Sequence, residues 1–215
     1  MKKVYLFINL LVISVSLVSL SAKQAERKDD PTVGWTKTNF EFDIHRPYNL
    51  AVGDRYTYGQ DKIHRFLIRK GDQPFKADSK TSPRCEMRIK NNYTTGMHQF
   101  EADVMAIKGS HHPVIMQVFG TERPAFMLKV YDENGGSFKQ FDSKVLDTGV
   151  YGKWKHINVV HDANSHEIRV YIDKVLRGTF MDKGAMGHYF KCGLYTTQSE
   201  ESAVQMKNIN YWTKD

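Results

Sequence analysis

The sequence predicts an all-β protein, a two-sheet β-sandwich or jelly roll, on three observations. Polar and apolar residues alternate with a period of two in many short segments, which is typical of strands with one buried face. Small groups of Gly, Asn and Ser separate these segments. No segment keeps a 3.6-residue apolar period beyond about two helical turns. A closed barrel is the alternative that this pattern leaves open.

Eight segments carry the strand pattern. They are residues 84–89, 99–106, 114–119, 125–131, 155–161, 167–173, 189–195 and 204–212. In the first, charged residues at 84, 86 and 88 share one face and apolar residues at 85, 87 and 89 share the other. The segments 154–162 and 166–173 predict a hairpin that is similar to the back-sheet hairpin of concanavalin-A-like sandwiches. That likeness concerns architecture alone.

The 215 residues divide into three parts. Residues 1–22 have a basic head, an apolar run and small residues at the end, which predicts a signal peptide. An uncleaved membrane anchor is the alternative, but no basic cluster follows the apolar run at once. Residues 23–34 are expected to form a flexible leader, and residues 35–215 a single domain. We therefore expect a secretory-pathway protein, located in the vacuole, the cell wall or the extracellular space, without stable membrane insertion after cleavage.

Composition indicates a globular chain with a modest positive charge. Hydrophobic residues make up 40% of the sequence, which excludes a wholly disordered protein. Thirty-one Lys and Arg exceed 24 Asp and Glu, and the excess is spread along the chain, so an acidic ligand is expected and nucleic acid is not. The two cysteines, Cys85 and Cys192, both alternate onto the apolar side of their strands. Two buried thiols are favoured, and a disulfide stays open if the strands are neighbours.

Three strands carry polar side chains that a plain sandwich does not require. The set comprises Arg84, Glu86, Arg88, Gln117, Tyr189, Lys191 and Tyr195. Each of these residues alone is common on a solvated strand face. If the three strands share one sheet, however, their matching parity predicts a concave groove that is lined by aromatic rings and receptive to anions.

These same segments resemble a known family. Residues 82–88 (SPRCEMR), 117–119 (QVF) and 189–195 (YFKCGLY) are similar to the three signature strands of the alginate lyase-2 superfamily, which is polysaccharide lyase family 7-like. Those strands are usually written R-[ST]-E-L-R, Q-[IV]-H and Y-F-K-A-G-x-Y. The chain resembles most closely the plant branch of citrate-binding proteins, over nearly all of residues 31–215.

The resemblance implies β-elimination from a uronate polysaccharide. Such a site must neutralise the uronate carboxylate, remove the C5 proton and protonate the leaving oxygen. By resemblance, Arg84 and Gln117 match the neutralising role and Tyr195 matches the proton-transfer role. Arg88 and Lys191 match substrate-holding positions. Glu86 and Tyr189 are expected to complete the binding row.

One departure puts this activity in doubt, because Phe119 stands where the family pattern has a histidine. His64 is the candidate replacement, as in the related glucuronan lyases, and His111 or His112 could reach the groove from a loop. Two other functions stay open: capture of citrate by the cationic row, and non-catalytic carbohydrate binding on the aromatic rings. We expect a monomer that binds a uronate polysaccharide or citrate, with no cofactor and no metal site.

Overall fold

The structure, a computed structural model, describes residues 30–110, 112–184, 186–196 and 201–214. In this part of the chain the regular structure consists of fifteen strands and two short 3-10 turns at Val52–Asp54 and Glu133–Gly135. Every strand pairing within these ranges is antiparallel. The predicted signal peptide at residues 1–22 lies outside the described residues.

The fifteen strands are numbered in chain order. They are β1 Thr36–Thr38, β2 Phe42–His45, β3 Tyr56–Tyr58, β4 His64–Ile68, β5 Arg84–Ile89, β6 Met97–Ala106, β7 Val114–Gly120, β8 Pro124–Tyr131, β9 Ser137–Gln140, β10 Lys144–Thr148, β11 Lys155–Asp162, β12 Glu167–Ile172, β13 Val175–Met181, β14 His188–Tyr195 and β15 Ser202–Lys214.

Two sheets form the sandwich. The front sheet has the strand order β10-β9-β8-β7-β14-β5-β2, and the back sheet has the order β13-β12-β11-β6-β15-β4-β3, with β1 paired to β15. Apolar side chains from the inner faces of both sheets form one core, because alternate residues of each strand point inward. Phe100 and Phe190 illustrate this contact, with ring centroids 6.1 Å apart across the two sheets. The predicted all-β sandwich is confirmed.

Each of the eight predicted strands is present, and the strand bounds differ from the predicted ones by at most two residues. The predicted hairpin is β11 and β12, which pair directly in the back sheet. Cys85 and Cys192 are buried thiols and neither forms a disulfide. Their strands are neighbours, but Cys192 lies opposite Met87 and Cys85 lies opposite Leu194.

The three signature strands are adjacent in the front sheet, in the order β7-β14-β5. Gly193 allows this close packing: its φ is +121°, and a Cβ there would lie 2.5 Å from the carbonyl oxygen of Cys85 and 2.9 Å from the Phe66 ring. A β-bulge between Cys192 and Tyr195 lies at the same point of the β14–β7 pairing. The bulge places Tyr195 opposite Val114 on one side and Arg84 on the other.

The first described residues form a turn, in which the backbone N–H of Trp35 donates to the Thr32 carbonyl at 3.1 Å. The Asp30 carboxylate pairs with Lys174 of the back sheet at 2.6 Å. Residues 30–34 belong to the segment for which a flexible leader is expected. Within the described ranges, no helix has the length and apolar character needed to cross a membrane.

Candidate functional site

A row of polar side chains crosses the outer face of the front sheet. In each of three neighbouring strands, polar residues lie at alternate positions that point outward. Lys191 on β14 lies opposite Arg88 of β5 on one side and Gln117 of β7 on the other. Tyr195, four residue pairs further along, lies opposite Arg84. The register therefore brings together on one face every predicted site residue except His64.

Glu86 is the centre of this row. Its carboxylate accepts a hydrogen bond from Nε2 of Gln117 and lies 3.4 Å from Nζ of Lys191 and 3.5 Å from Nη1 of Arg84. Glu86, Gln117 and Lys191 are each at most 2% exposed. Together with Arg88 on the same strand face, one buried carboxylate faces three cationic side chains. The excess of positive charge favours an anionic ligand.

Lys191 is held beneath an aromatic ring. Its Nζ lies 4.5 Å from the centroid of Phe119, the residue that replaces the family histidine. Burial lowers the pKa of Lys191, and the charges of Arg84 and Arg88 lower it further, while Glu86 opposes this shift. Phe119 therefore supplies a ring face to the ammonium group but no titratable proton.

One cleft on this face, here called the Tyr195 cleft, has a volume of 310 Å³. Its lining comprises Thr81, Arg84, Gln117, Phe119, Pro124, Met127 and Tyr195. The Arg84 guanidinium lies 4.6 Å from the Tyr195 ring centroid and donates to the Thr81 hydroxyl at 3.1 Å. Nε of Arg84 and Oε1 of Gln117 are buried and have no hydrogen-bond partner among the described residues. One donor and one acceptor at this cleft are therefore unused within that part of the chain.

A second cleft, here called the Tyr189 cleft, has a volume of 260 Å³. Its lining comprises Arg88, Asn92, Tyr93, Thr94, Thr121, Gly187 and Tyr189. The Arg88 guanidinium lies 4.2 Å from the Tyr189 ring centroid and donates to Oδ1 of Asn92 at 2.7 Å. Tyr189 in turn contacts Phe119, with ring centroids 5.3 Å apart. Both clefts thus combine an arginine with a tyrosine ring.

The two clefts are separated along the direction of β5. Arg84 and Arg88 are four residues apart in one strand, so their Cα atoms are about 13 Å apart. Their guanidinium groups also diverge: Arg84 bonds Thr81, which precedes β5, and Arg88 bonds Asn92, which follows it. The outer face therefore offers two cationic, ring-lined positions in succession.

His64 does not join this site. It lies on β4 of the back sheet, where its Nδ1 is 2.8 Å from the Tyr56 hydroxyl and its ring stacks on Tyr58 at 4.4 Å. Its ring also contacts Phe42, which lies opposite the core residue Ile89 and so points to the inner side of the front sheet. The front sheet therefore separates His64 from both clefts, which removes the geometric basis for the expected catalytic role.

His112, one of the two loop histidines, does not take the place of the missing family histidine. His112 stacks on the Tyr131 ring, with centroids 4.4 Å apart, next to Lys129 and Lys139 and not at either cleft. His111 lies outside the described residues.

A histidine that the sequence analysis missed does face the charged row. His45 on β2 lies opposite Glu86 and stacks on Phe75 with centroids 4.1 Å apart. Burial, and then the charges of Lys191, Arg84 and Arg88, lower the pKa of His45 to about 4, so its imidazole is neutral at neutral pH. Its Nδ1 is buried, and no described residue forms a hydrogen bond with it. The alternation of Asp43 and His45 in a four-residue strand is the one signal that could have indicated it.

Comparison with known proteins identifies the family of this chain. A profile of the alginate lyase family matches residues 37–212. A citrate-binding protein from Hevea brasiliensis is 37% identical over 195 residues, which cover 86% of this chain and 80% of that protein.

Solved structures of alginate lyases share the fold at low identity. An alginate lyase of polysaccharide lyase family 7 superposes with a TM-score of 0.63 at 19% identity, covering 79% of this chain and 93% of that one. An alginate lyase from Pseudomonas aeruginosa gives 0.63 at 14% identity, covering 80% and 98%. The matched profile spans all three signature strands and both clefts, and on that ground this chain is a member of the alginate lyase family.

Proposed function

We propose that the outer face of the front sheet binds an acidic polysaccharide across both clefts and cleaves it by β-elimination in the Tyr195 cleft. The observation that carries this proposal is the spacing of the two arginine–tyrosine positions. Arg84 and Arg88 point to opposite ends of β5, farther apart than the carboxylates of one small tricarboxylate can reach. A polymer with a carboxylate on each sugar can occupy both positions at once.

The Tyr195 cleft supports the elimination step through its donors. The nearby Arg84 guanidinium and the second N–H of the Gln117 amide would hold the uronate carboxylate, since Glu86 engages only one of the two amide protons. These donors would stabilise the enolate-like anion that forms when C5 loses its proton. The buried, unpartnered Nε of Arg84 gives one further donor.

Tyr195 is the proton-transfer group in this proposal. As a phenolate it would take the C5 proton, and the resulting phenol would return that proton to O4 of the departing sugar. The C5–H and C4–O4 bonds break, a C4=C5 double bond forms, and the tyrosine ends the cycle as it began. Because one group both removes and returns the proton, the C5 proton and O4 must lie on the same face of the sugar. His45, opposite Glu86, is a second candidate proton acceptor on this face of the sheet.

Citrate binding is the second candidate, and the similarity to the Hevea brasiliensis protein favours it. Phe119 removes the family histidine while leaving the three cations in place. In this alternative a single citrate would bind at one arginine, and the fold would serve capture without elimination. Non-catalytic binding of a polysaccharide is the intermediate case.

The experiment incubates the purified protein with polyglucuronate and with alginate, and measures the ultraviolet absorbance of the C4=C5 product. The wild type is expected to form this product. Tyr195→Phe should lower turnover at least ~100-fold, because the substitution deletes the hydroxyl but keeps the ring. Substrate affinity should change little.

Tyr58→Phe is the matched control, because Tyr58 lies exposed on β3 of the other sheet. It should keep full turnover. Full activity in Tyr195→Phe would move the proton-transfer role to His45, which His45→Gln would then test. A wild type that forms no product from either polymer would overturn the elimination step and leave binding as the function.

We also infer, from residues 1–22, that the protein enters the secretory pathway and acts in the vacuole or outside the cell. Sequencing the N-terminus of protein purified from its native tissue would test this inference. A mature chain beginning near residue 23 is expected, and retention of Met1 or Lys2 would contradict it.

A further inference from the structure

A cluster of histidines surrounds one buried carboxylate at the end of the sandwich, away from the charged row. Oδ2 of Asp182 lies 3.1 Å from Nε2 of His161, 3.1 Å from Nδ1 of His166 and 3.6 Å from Nε2 of His188. The side chains of His161, Asp182 and His188 are at most 1% exposed. One ligand atom from each of these three residues lies within 4.8 Å of the other two.

The distances from Asp182 to His161 and His188 are close to those between neighbouring ligand atoms of a tetrahedral metal site. With zinc bonds of about 2.0–2.1 Å to nitrogen and oxygen, neighbouring ligand atoms in a tetrahedron are about 3.3 Å apart. The measured separations of 3.1 and 3.6 Å lie on either side of that value. The contact at 3.6 Å between His188 and Asp182 is longer than a hydrogen bond.

The surrounding groups would hold the ligands in place. The Tyr93 hydroxyl lies 2.9 Å from Nδ1 of His161, which leaves Nε2 to face the cluster, and the backbone N–H of Gly184 donates to Oδ1 of Asp182 at 2.7 Å.

We propose that His161, Asp182 and His188 form a binding site for a divalent transition metal, with Zn²⁺ the best match. Two imidazoles and one carboxylate suit zinc in ligand type and number, and a fourth position remains for water or for His166, whose side chain is 39% exposed. The sequence did not indicate this site, since the three ligands come from separate strands and a loop.

The site would connect the two sheets. His161 lies on β11 of the back sheet, His188 begins β14 of the front sheet, and Asp182 follows β13. Tyr93 and Gly187 line the Tyr189 cleft. The Tyr93 hydroxyl contacts His161, and Gly187 directly precedes His188 in the chain. A bound metal would therefore fix one wall of that cleft relative to the back sheet, as a structural ion does.

The test uses the full mature protein after dialysis against a chelator, with Zn²⁺ alone as the probe. Calorimetric titration should show one Zn²⁺ per chain, and Zn²⁺ should raise the melting temperature. Co²⁺ in place of Zn²⁺ should give the intense visible absorption of a tetrahedral site. Asp182→Asn and His188→Gln should each weaken Zn²⁺ binding at least ~100-fold, whereas loss of an outer partner in Tyr93→Phe should cost about 10–100-fold.

His112→Gln is the matched control, because His112 contacts Tyr131 far from the cluster, and it should leave Zn²⁺ binding unchanged. Circular dichroism establishes that each variant is folded. The wild type alone also decides the question, so a variant that fails to fold does not prevent the test. No Zn²⁺ binding by the wild type, an octahedral Co²⁺ spectrum, or binding that survives both ligand substitutions would overturn the proposal.

Discussion

The outer faces of the two sheets each carry a cluster of charged side chains, and the clusters differ in the sign of their excess charge. On the back sheet, His156 lies between two carboxylates, 3.1 Å from Glu101 and 2.8 Å from Asp103. Asn210 and Trp212 donate to the other Glu101 oxygen at 2.8 and 2.9 Å. On the front sheet, two carboxylates share the face with three cations: the buried Glu86, and Asp43, which lies opposite Arg88.

This difference shows why alternation by itself does not identify a binding site. Glu101 and Asp103 alternate along β6 as Arg84 and Glu86 alternate along β5. The back cluster satisfies its carboxylates with donors from the protein. The front cluster keeps buried, unpartnered atoms beside a cleft. Asn158, opposite Glu101 on the back sheet, also has buried side-chain atoms without a partner among the described residues. An excess of positive charge beside a cleft therefore distinguishes the front site.

Removing the central carboxylate of each cluster should have unequal effects. Glu86→Gln should lower the free energy of unfolding by about 3 kcal/mol, because it leaves the buried Lys191 without its opposite charge. Glu101→Gln should cost only about 1 kcal/mol, since Asp103 still pairs with His156. Urea denaturation of both variants measures the difference. Equal losses would show that the two clusters are not energetically distinct.

The two arginines of the front cluster should contribute comparably to binding of a long uronan. Arg84→Ala and Arg88→Ala should each weaken it by about 1.5–3 kcal/mol, the range for a hydrogen bond to a charged group. Added salt should weaken binding further, because both clefts open to solvent. Lys62→Ala, in the exposed turn before β4, is the control and should have no effect. If only one arginine matters, the ligand occupies one cleft.

The back cluster should make stability depend on pH. Hydrogen bonds and ion pairs with Glu101 and Asp103 raise the pKa of His156 from 6.5 to about 9. A raised pKa stabilises the folded state fully below pH 6.5, and that contribution is lost as pH rises through 9. The His156 side chain is 28% exposed, so screening limits the contribution to about 1 kcal/mol.

His156→Gln provides the measurement for this contribution. Its melting temperature should fall below that of the wild type at pH 6, and the gap should close as pH rises past the His156 pKa of about 9. A gap that stays constant with pH would show that His156 acts through packing and not through charge.

The sequence carried enough information for the fold and for most of the charged row. Long strands such as β5 and β14 bury one face, so period-two alternation fixes which residues point outward. Alternation places Arg84, Lys191 and Tyr195 on the outward faces of their strands. They form one row because those strands are also neighbours in the sheet. The strands that were not predicted include β1, β2 and β3, which have three or four residues and are too short to show alternation.

Side chains brought together by pairing between distant strands could not be predicted. His45 reaches the row only because the short strand β2 pairs with β5. His64 has a plausible position in the sequence, yet its strand belongs to the other sheet. The cluster around Asp182 combines residues from β11, β14 and a loop, with no local spacing that marks it. Such sites depend on long-range register, which alternation does not encode.

The central claim is that one acidic chain occupies both clefts, and a binding series tests it most directly. Calorimetry would compare citrate, short oligouronates that reach one cleft and longer ones that reach both, using Tyr195→Phe to prevent turnover. Affinity should rise steeply when the ligand becomes long enough for the second cleft, and Arg88→Ala should remove that rise. Citrate that binds as tightly as the longest oligouronate, with no dependence on length, would contradict the account.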